Sequence, residues 1–244
     1  MGILVGFHTE GWDFLIFKSL VAVLLGIDER EIVEDWIDAP GRGWEFVLGT
    51  VSPAIQRFYS QCAQFAIFGI DNDGNDDLAL TGAQEDPRRP RHWSHSSTHA
   101  QCRYCQLDVM VSRARSMLSE LPQKPVQTWP VLIAVPVETV EAWLLELQAI
   151  VNPAKGVARA ESRGRSKFKM SLYGRPVAAR EDVERIALPL IRSATPVQFG
   201  ELRQRSRSFA MFADQVDASK PIILGPRDCW GQGDSGAERP PAAG

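Results

Sequence analysis

One stretch of ten residues limits the fold of this chain more than any other, Phe65-Ala-Ile-Phe-Gly-Ile-Asp-Asn-Asp-Gly74. Six uncharged residues, most of them aromatic or β-branched, end abruptly in two carboxylates and a glycine. A short continuous apolar run of this kind is typical of a strand in a parallel sheet that is covered on both faces, where the alternation of a half-buried strand disappears. The stretch therefore predicts a buried parallel strand and an α/β fold.

The two aspartates that follow this strand form the first candidate site. Ligands of open α/β sheets bind at the carboxyl ends of the strands. Asp71 and Asp73 are two residues apart, so an extended backbone would point both side chains to one side and Asn72 away from it. Carboxylate pairs suit a hard cation. The alternative is an ordinary polar turn, whereas an EF-hand calcium loop does not fit because Gly74 stands fourth rather than sixth from Asp71.

Two further apolar strands, predicted over residues 3–8 and 131–137, are also followed by acidic residues. Glu10 comes just after the first, and Glu141 lies in the helix that follows the second. Because right-handed crossovers bring the carboxyl ends of parallel strands to one edge, both glutamates are expected near Asp71. The alternative for each is a glutamate at a helix N-terminus that offsets the helix dipole.

Residues 75–106 are polar and lack hydrophobic periodicity, which predicts an insertion in the domain. The insertion contains a Cys-x-x-Cys pair with three histidines just upstream. Two thiolates and two imidazoles are a set that zinc takes tetrahedrally, and we predict a structural zinc site here with His92 as a spare ligand. The alternatives are a polar loop with buried thiols and a redox pair. The predicted zinc ligands are Cys102, Cys105, His95 and His99.

The net charge of −3 at pH 7 gives the protein no general attraction to nucleic acid, so a polyanion would have to bind local basic clusters. Residues 155–175 and 203–207 form two such clusters. Runs of this kind are usually solvated loops, but beside an acidic metal centre they suit a phosphodiester substrate. The candidate nucleic-acid-binding residues are Arg163, Arg165, Lys167, Lys169, Arg203 and Arg205.

The length of 244 residues favours one domain with appendages. We expect a catalytic unit over residues 1–150, a basic segment with C-terminal helices packed on it over 151–217, and a partly disordered tail rich in Gly, Pro and Ala over 218–244. The longest apolar run, residues 14–25, is short and contains Lys18, and the N-terminus lacks signal-peptide features. The expectation is a soluble, cytoplasmic protein that makes no contact with a membrane.

Three motifs in order along the chain resemble a Toprim domain, the catalytic fold of topoisomerases and primases. They are Glu10-Gly11, Asp71-x-Asp73-Gly and Glu141-Ala-Trp-Leu-Leu, each after a predicted strand. The closer resemblance is to small Toprim-like prokaryotic proteins related to anti-phage defence nucleases, over roughly residues 3–215. It implies a doubly wound, mainly parallel sheet with a His/Cys-bearing insertion and C-terminal helices.

The resemblance also implies a chemistry. In Toprim enzymes the early glutamate is a general acid or base and the aspartate pair binds magnesium. These roles fall on Glu10, Asp71 and Asp73, and Glu141 would complete the metal shell. No tyrosine is placed as a topoisomerase nucleophile, and the chain is too short for strand passage, which favours hydrolysis.

The expected function is therefore that of a hydrolase, a nuclease that cleaves DNA or RNA with Mg²⁺ or Mn²⁺. A role in antiviral defence and a partner ATPase are further implications of the resemblance. The alternative is a zinc-stabilised, non-catalytic binding or regulatory module with a degenerate Toprim-like site. A metal-dependent phosphatase is a weaker third reading of the same carboxylates.

Overall fold

A computed structural model describes residues 2–37, 43–72, 91–118, 128–137, 139–154 and 166–225. Within these residues the centre of the fold is a four-stranded, all-parallel sheet in the order β2-β1-β3-β4. Its strands are β1 (Ile3–Thr9), β2 (Ile32–Trp36), β3 (Phe65–Gly69) and β4 (Val131–Ala134). The predicted α/β class is confirmed, and the predicted strands β1, β3 and β4 are parallel neighbours in the sheet.

Helices cover the sheet on both faces, as the unbroken apolar run of β3 predicts. In chain order they are α1 (Asp13–Leu25), α2 (Trp44–Gly49), α3 (Val51–Ser60), α4 (Arg103–Leu118), α5 (Val140–Val151), α6 (Ser166–Tyr173), α7 (Arg180–Asp182), a π-helix (Val183–Ala187), α8 (Leu188–Ser193), α9 (Pro196–Arg205) and α10 (Arg207–Ile223). None of the described helices is long and apolar enough to cross a membrane.

The side chains of β3 alternate between two hydrophobic cores. Phe65 and Ile67 pack on the face covered by α1, α5 and the C-terminal helices. Ala66 and Phe68 pack on the opposite face, which is covered by α2, α3 and α4. Every residue of β3 is buried. This three-layer arrangement is compatible with a doubly wound α/β fold.

The C-terminal helices close one side of the sheet. Gln215 of α10 donates from Nε2 to the backbone oxygen of Ile133 at 2.9 Å and accepts from the Ile133 amide at 2.9 Å. These bonds satisfy backbone groups of the edge strand β4 that no described strand pairs. The helical structure breaks at Ser206 between α9 and α10, where the Ser206 hydroxyl caps α10 by accepting from the Phe209 amide at 3.2 Å.

Two glycines shape the strand that leads to the candidate site. A Cβ at Gly6 of β1 would lie 2.3 Å from the ring of Phe58 in α3, so this close approach of helix and strand requires glycine. Gly11 has a φ of 50° and turns the chain from β1 into α1. The turn leaves Glu10 at the carboxyl end of β1.

Candidate functional site

Acidic side chains gather where β1, β3 and β4 end. Glu10 follows β1, Asp71 follows β3, and Glu141 lies in the first turn of α5 after β4. The Glu10 carboxylate accepts a hydrogen bond on Oε1 from the Asp71 backbone amide at 2.9 Å. The parallel strand order thus brings Glu10 and Asp71 together.

A fourth carboxylate, Asp13, belongs to the same place. Burial raises the pKa of the Asp71 carboxyl well above its ordinary value, the negative charges of Asp13, Glu10 and Glu141 raise it further, and Lys169 lowers it. The sequence signal for Asp13 was its position three residues after Glu10 at the start of α1. The sequence alone does not identify Asp13 as a site residue, because an acid in the first turn of a helix commonly serves only to offset the helix dipole. We call Glu10, Asp13, Asp71 and Glu141 the acidic edge.

Glu141 is almost completely buried, with 1% of its surface exposed. Its Oε1 lies 3.9 Å from Lys169 Nζ of α6, whereas its Oε2 is buried and has no hydrogen-bond partner among the described residues. Leaving a buried carboxylate oxygen without a donor or cation costs free energy. The acidic edge therefore has an acceptor that a cation could satisfy.

Three hydroxyl groups near these strand ends are also buried without a partner among the described residues. They belong to Thr9 at the end of β1, Thr139 just before α5, and Tyr173 of α6. Burial raises the pKa of Tyr173, and the charges of Glu141 and Asp13 raise it further, so the ring lies close to the acidic edge. Buried hydroxyl groups that have no hydrogen-bond partner and that surround charged side chains are typical of a ligand-binding site.

Several predicted residues lie outside the described part of the chain. Asp73, Arg163 and Arg165 are among them, so their roles remain predictions. The side chain of Lys167 is likewise not described. The Lys169 side chain lies beside Glu141, at the acidic edge.

The two predicted C-terminal arginines form ion pairs with carboxylates of α9 and α10. Arg203 of α9 lies 2.7 Å from Asp217 and 3.5 Å from Asp214 of α10. Arg205 forms an ion pair with Glu201 one turn before it in α9. Their role in binding nucleic acid also stays a prediction.

The His/Cys segment forms a second compact group. The ligand atoms of His92, His95, Cys102 and Cys105 all lie within 4.8 Å of one another. Helix α4 begins at Arg103, and its first turn places Cys105 beside Cys102. We call these four residues the His/Cys cluster, and the cluster could hold a metal ion such as zinc.

The cluster differs from the predicted ligand set in one residue, because His92 takes the place predicted for His99. The His92 ring stacks on Tyr104 with 4.1 Å between ring centroids, and its Nδ1 lies 3.7 Å from Cys105 Sγ. His99 instead accepts a hydrogen bond on Nδ1 from the Gln101 amide at 3.2 Å. Spacing in an aperiodic segment could not reveal this stacking contact.

Hydrogen bonding prepares His95 for a metal. Its Nδ1 lies 2.7 Å from the Ser97 backbone oxygen, so Nδ1 carries the proton and donates it to the carbonyl. Its Nε2 is buried without a partner among the described residues. Metal-bound histidines commonly have this outer hydrogen bond.

Burial also affects the protonation of two other members of the cluster, His92 and Cys102. Burial lowers the pKa of His92, assisted by the charge of His95, which keeps its imidazole neutral and able to coordinate. Burial raises the pKa of the Cys102 thiol to about 11, so both the proton and a metal compete for this sulfur. A bound zinc ion deprotonates such a thiol.

The raised pKa of Asp71 gives a prediction for protein free of Mg²⁺ and Mn²⁺. The folded state holds the Asp71 proton more tightly than the unfolded state, so stability should fall as pH rises from 3.8 toward the raised pKa. Asp71→Asn removes this ionisation and should raise the melting temperature at pH 7, with a difference that shrinks toward pH 4. Calorimetry of both proteins checks this, and an Asp71→Asn protein that is less stable at every pH would indicate a structural role.

Comparison with known proteins gives no relative from which a function could be taken. No family model matches the chain, and neither a curated protein nor a solved structure matches it. The resemblance to Toprim-like proteins therefore depends on the short motifs alone.

Proposed function

We propose that the protein is a nuclease-type phosphodiesterase that uses Mg²⁺ or Mn²⁺ at the acidic edge to hydrolyse DNA or RNA. The observation that supports this most is the environment of Asp71. Asp71 is 3% exposed, so burial raises its pKa, and three other carboxylates at the carboxyl ends of the parallel strands raise this pKa further. Repulsion among these carboxylates does not stabilise the fold. The arrangement therefore favours a functional site in which a bound cation offsets the negative charges.

The donor set fits a divalent cation. Asp71 and the Oε2 of Glu141, which has no hydrogen-bond partner among the described residues, are carboxylate ligands of the kind that Mg²⁺ prefers, and Asp73 would extend the set. A double positive charge would also offset the repulsion among these groups. When bound, the ion would polarise a phosphoryl oxygen and offset the charge that develops on it.

The remaining groups of the acidic edge have roles that suit phosphodiester hydrolysis. The Asp71 amide fixes one oxygen of Glu10 at 2.9 Å, which orients this carboxylate as the general base or acid. Lys169 lies 3.9 Å from Glu141 and would place a positive charge near the phosphate. The Tyr173 hydroxyl, buried and without a partner among the described residues, would donate a hydrogen bond there.

Zinc is the ion we propose for the His/Cys cluster, in a structural role. The two thiols and two imidazoles fit the tetrahedral set of a closed zinc site. The segment before α4 has one short 3₁₀-helix, His92–Ser94, among its described residues from 91 to 102. A metal ion would contribute folding free energy that this short polar segment otherwise lacks.

The second candidate function is a non-catalytic, zinc-stabilised binding or regulatory module. One observation favours it. Among the described residues, the His/Cys cluster is the only group of three or more possible metal ligands that lie close enough together to hold an ion. The acidic edge would then be a degenerate Toprim-like site. The two functions differ in whether a divalent cation switches on cleavage.

A cleavage assay on the full-length, zinc-containing protein tests the proposal. End-labelled single-stranded DNA, duplex DNA and tRNA are incubated with Mg²⁺, with Mn²⁺ or without added metal. We expect cleavage that requires the added metal, and hydrolysis of bis(p-nitrophenyl) phosphate rather than p-nitrophenyl phosphate. Intact substrates under all conditions would contradict a nuclease, and hydrolysis of the monoester alone would indicate a phosphatase.

A further inference from the structure

Lys169 of α6 places a positive charge at the acidic edge. Its Nζ lies 3.9 Å from Oε1 of Glu141. Burial and three carboxylates raise the pKa of Asp71, and the charge of Lys169 acts on this pKa in the opposite direction. The protein therefore offsets part of the negative charge of the acidic edge with a side chain of its own.

The contact between Lys169 and Glu141 leaves the carboxylate incompletely satisfied. A distance of 3.9 Å is too long for a hydrogen bond, so the ammonium offsets the charge of Glu141 without donating to Oε1. Glu141 Oε2 has no hydrogen-bond partner among the described residues. A divalent cation bonds directly to carboxylate oxygens and would satisfy this buried group better than the ammonium does.

The side chain of Lys169 can move although its helix is fixed. Phe168 and Leu172 of α6 are buried in the same core as α1 and α5, which anchors the helix beside the acidic edge. The Lys169 side chain is 23% exposed, and its four-carbon stem is flexible. Rotation about side-chain bonds could thus carry the ammonium away from Glu141 without any movement of α6.

A divalent cation bound to Glu141 and an ammonium beside the same carboxyl group would repel each other. Burial makes this repulsion stronger than it would be in water. We propose that Lys169 is the resident counter-ion of the acidic edge, the positive group that a divalent metal must displace from Glu141 in order to bind. The inference rests on the proposed function and adds to it a control of metal affinity.

The exchange of one cation for another predicts opposite effects on binding and on cleavage. Loss of the Lys169 charge should strengthen metal binding, because the metal no longer has to displace it. The same loss should slow cleavage at saturating metal, because the displaced ammonium would no longer be available near the phosphate. A lysine with a purely structural role would not tighten metal binding when it is removed.

The first test is a titration of Mn²⁺ into full-length, zinc-loaded protein, followed by electron paramagnetic resonance of the free ion. Lys169→Met should bind Mn²⁺ at least about tenfold more tightly than wild type, in which about a tenth or fewer of the molecules would have Lys169 displaced before binding. Lys169→Arg keeps the charge and should bind like wild type. Lys18→Met, the same change at a lysine of α1 that lies 2.5 Å from Glu34, should leave the affinity unchanged.

The second test measures melting temperatures at pH 7 without Mg²⁺ or Mn²⁺. Lys169→Met should melt several degrees lower than wild type, because the buried Glu141 loses its counter-ion. Adding Glu141→Gln should remove most of this difference, which a double-mutant cycle measures as coupling between the two side chains.

The outcomes separate the inference from the proposed function. If wild type binds Mn²⁺ and Lys169→Met binds it no more tightly, the inference is overturned and the proposed function is not. Absence of coupling between Lys169 and Glu141 would also overturn the inference. Tighter Mn²⁺ binding by Lys169→Met, with coupling, in a protein that cleaves no nucleic acid would support the counter-ion and contradict the nuclease. If neither wild type nor Lys169→Met binds Mn²⁺, both are overturned.

Discussion

Asp71→Asn should reduce metal-dependent cleavage by on the order of 10³-fold, because a metal that stabilises transition-state charge contributes several kcal/mol and each 1.36 kcal/mol is tenfold in rate. Asparagine has nearly the same size and shape, so the fold should remain. It removes the charge that the cation needs at a deeply buried position of the acidic edge, since Asp71 is 3% exposed.

A matched control makes this result interpretable. Asp214→Asn is the same chemical change on α10, at a side chain that is 71% exposed and pairs with Arg203, and it should leave cleavage unchanged. Glu141→Gln should behave like Asp71→Asn, although with a smaller loss if other ligands remain. Equal activity in the Asp71 and Asp214 variants would remove the acidic edge from the mechanism.

Loss of the His/Cys cluster should have the second large effect. Protein purified without added metal should contain about one zinc per chain. Changing Cys102 and Cys105 together to serine should bring this close to zero and unfold the segment before α4, because the two thiolates are removed. Elemental analysis measures the zinc, and hydrogen exchange measures the order of residues 91–102.

Two histidine variants test the ligand set itself. His92→Asn should lose zinc, since His92 lies 3.7 Å from Cys105 Sγ, whereas His99→Asn should keep it. The reverse result would show that the ligands are those predicted from the sequence. A metal-free protein with an ordered segment would leave a buried thiol pair as the interpretation.

The sheet could be predicted from the sequence because each buried strand is marked locally. The run at Phe65 and the runs over residues 3–8 and 131–137 are mostly apolar, and each is followed by an acid. Right-handed crossovers then fix the edge at which those acids meet.

Other features depend on contacts between residues distant in the chain, which a linear pattern does not contain. His92 joins the cluster because Tyr104 holds its ring by stacking. Asp13 looks like a helix-start acid until β3 brings Asp71 beside it.

The most direct measurement of the central claim is a titration of Mn²⁺ into zinc-loaded protein, followed by electron paramagnetic resonance of the free ion. With the His/Cys cluster already filled, binding reports on the acidic edge. Wild-type protein and Asp214→Asn should remove Mn²⁺ from solution at a site that Asp71→Asn has lost. Wild-type protein that binds no Mn²⁺, or an Asp71→Asn variant that binds it equally well, would contradict a divalent-metal site at the acidic edge.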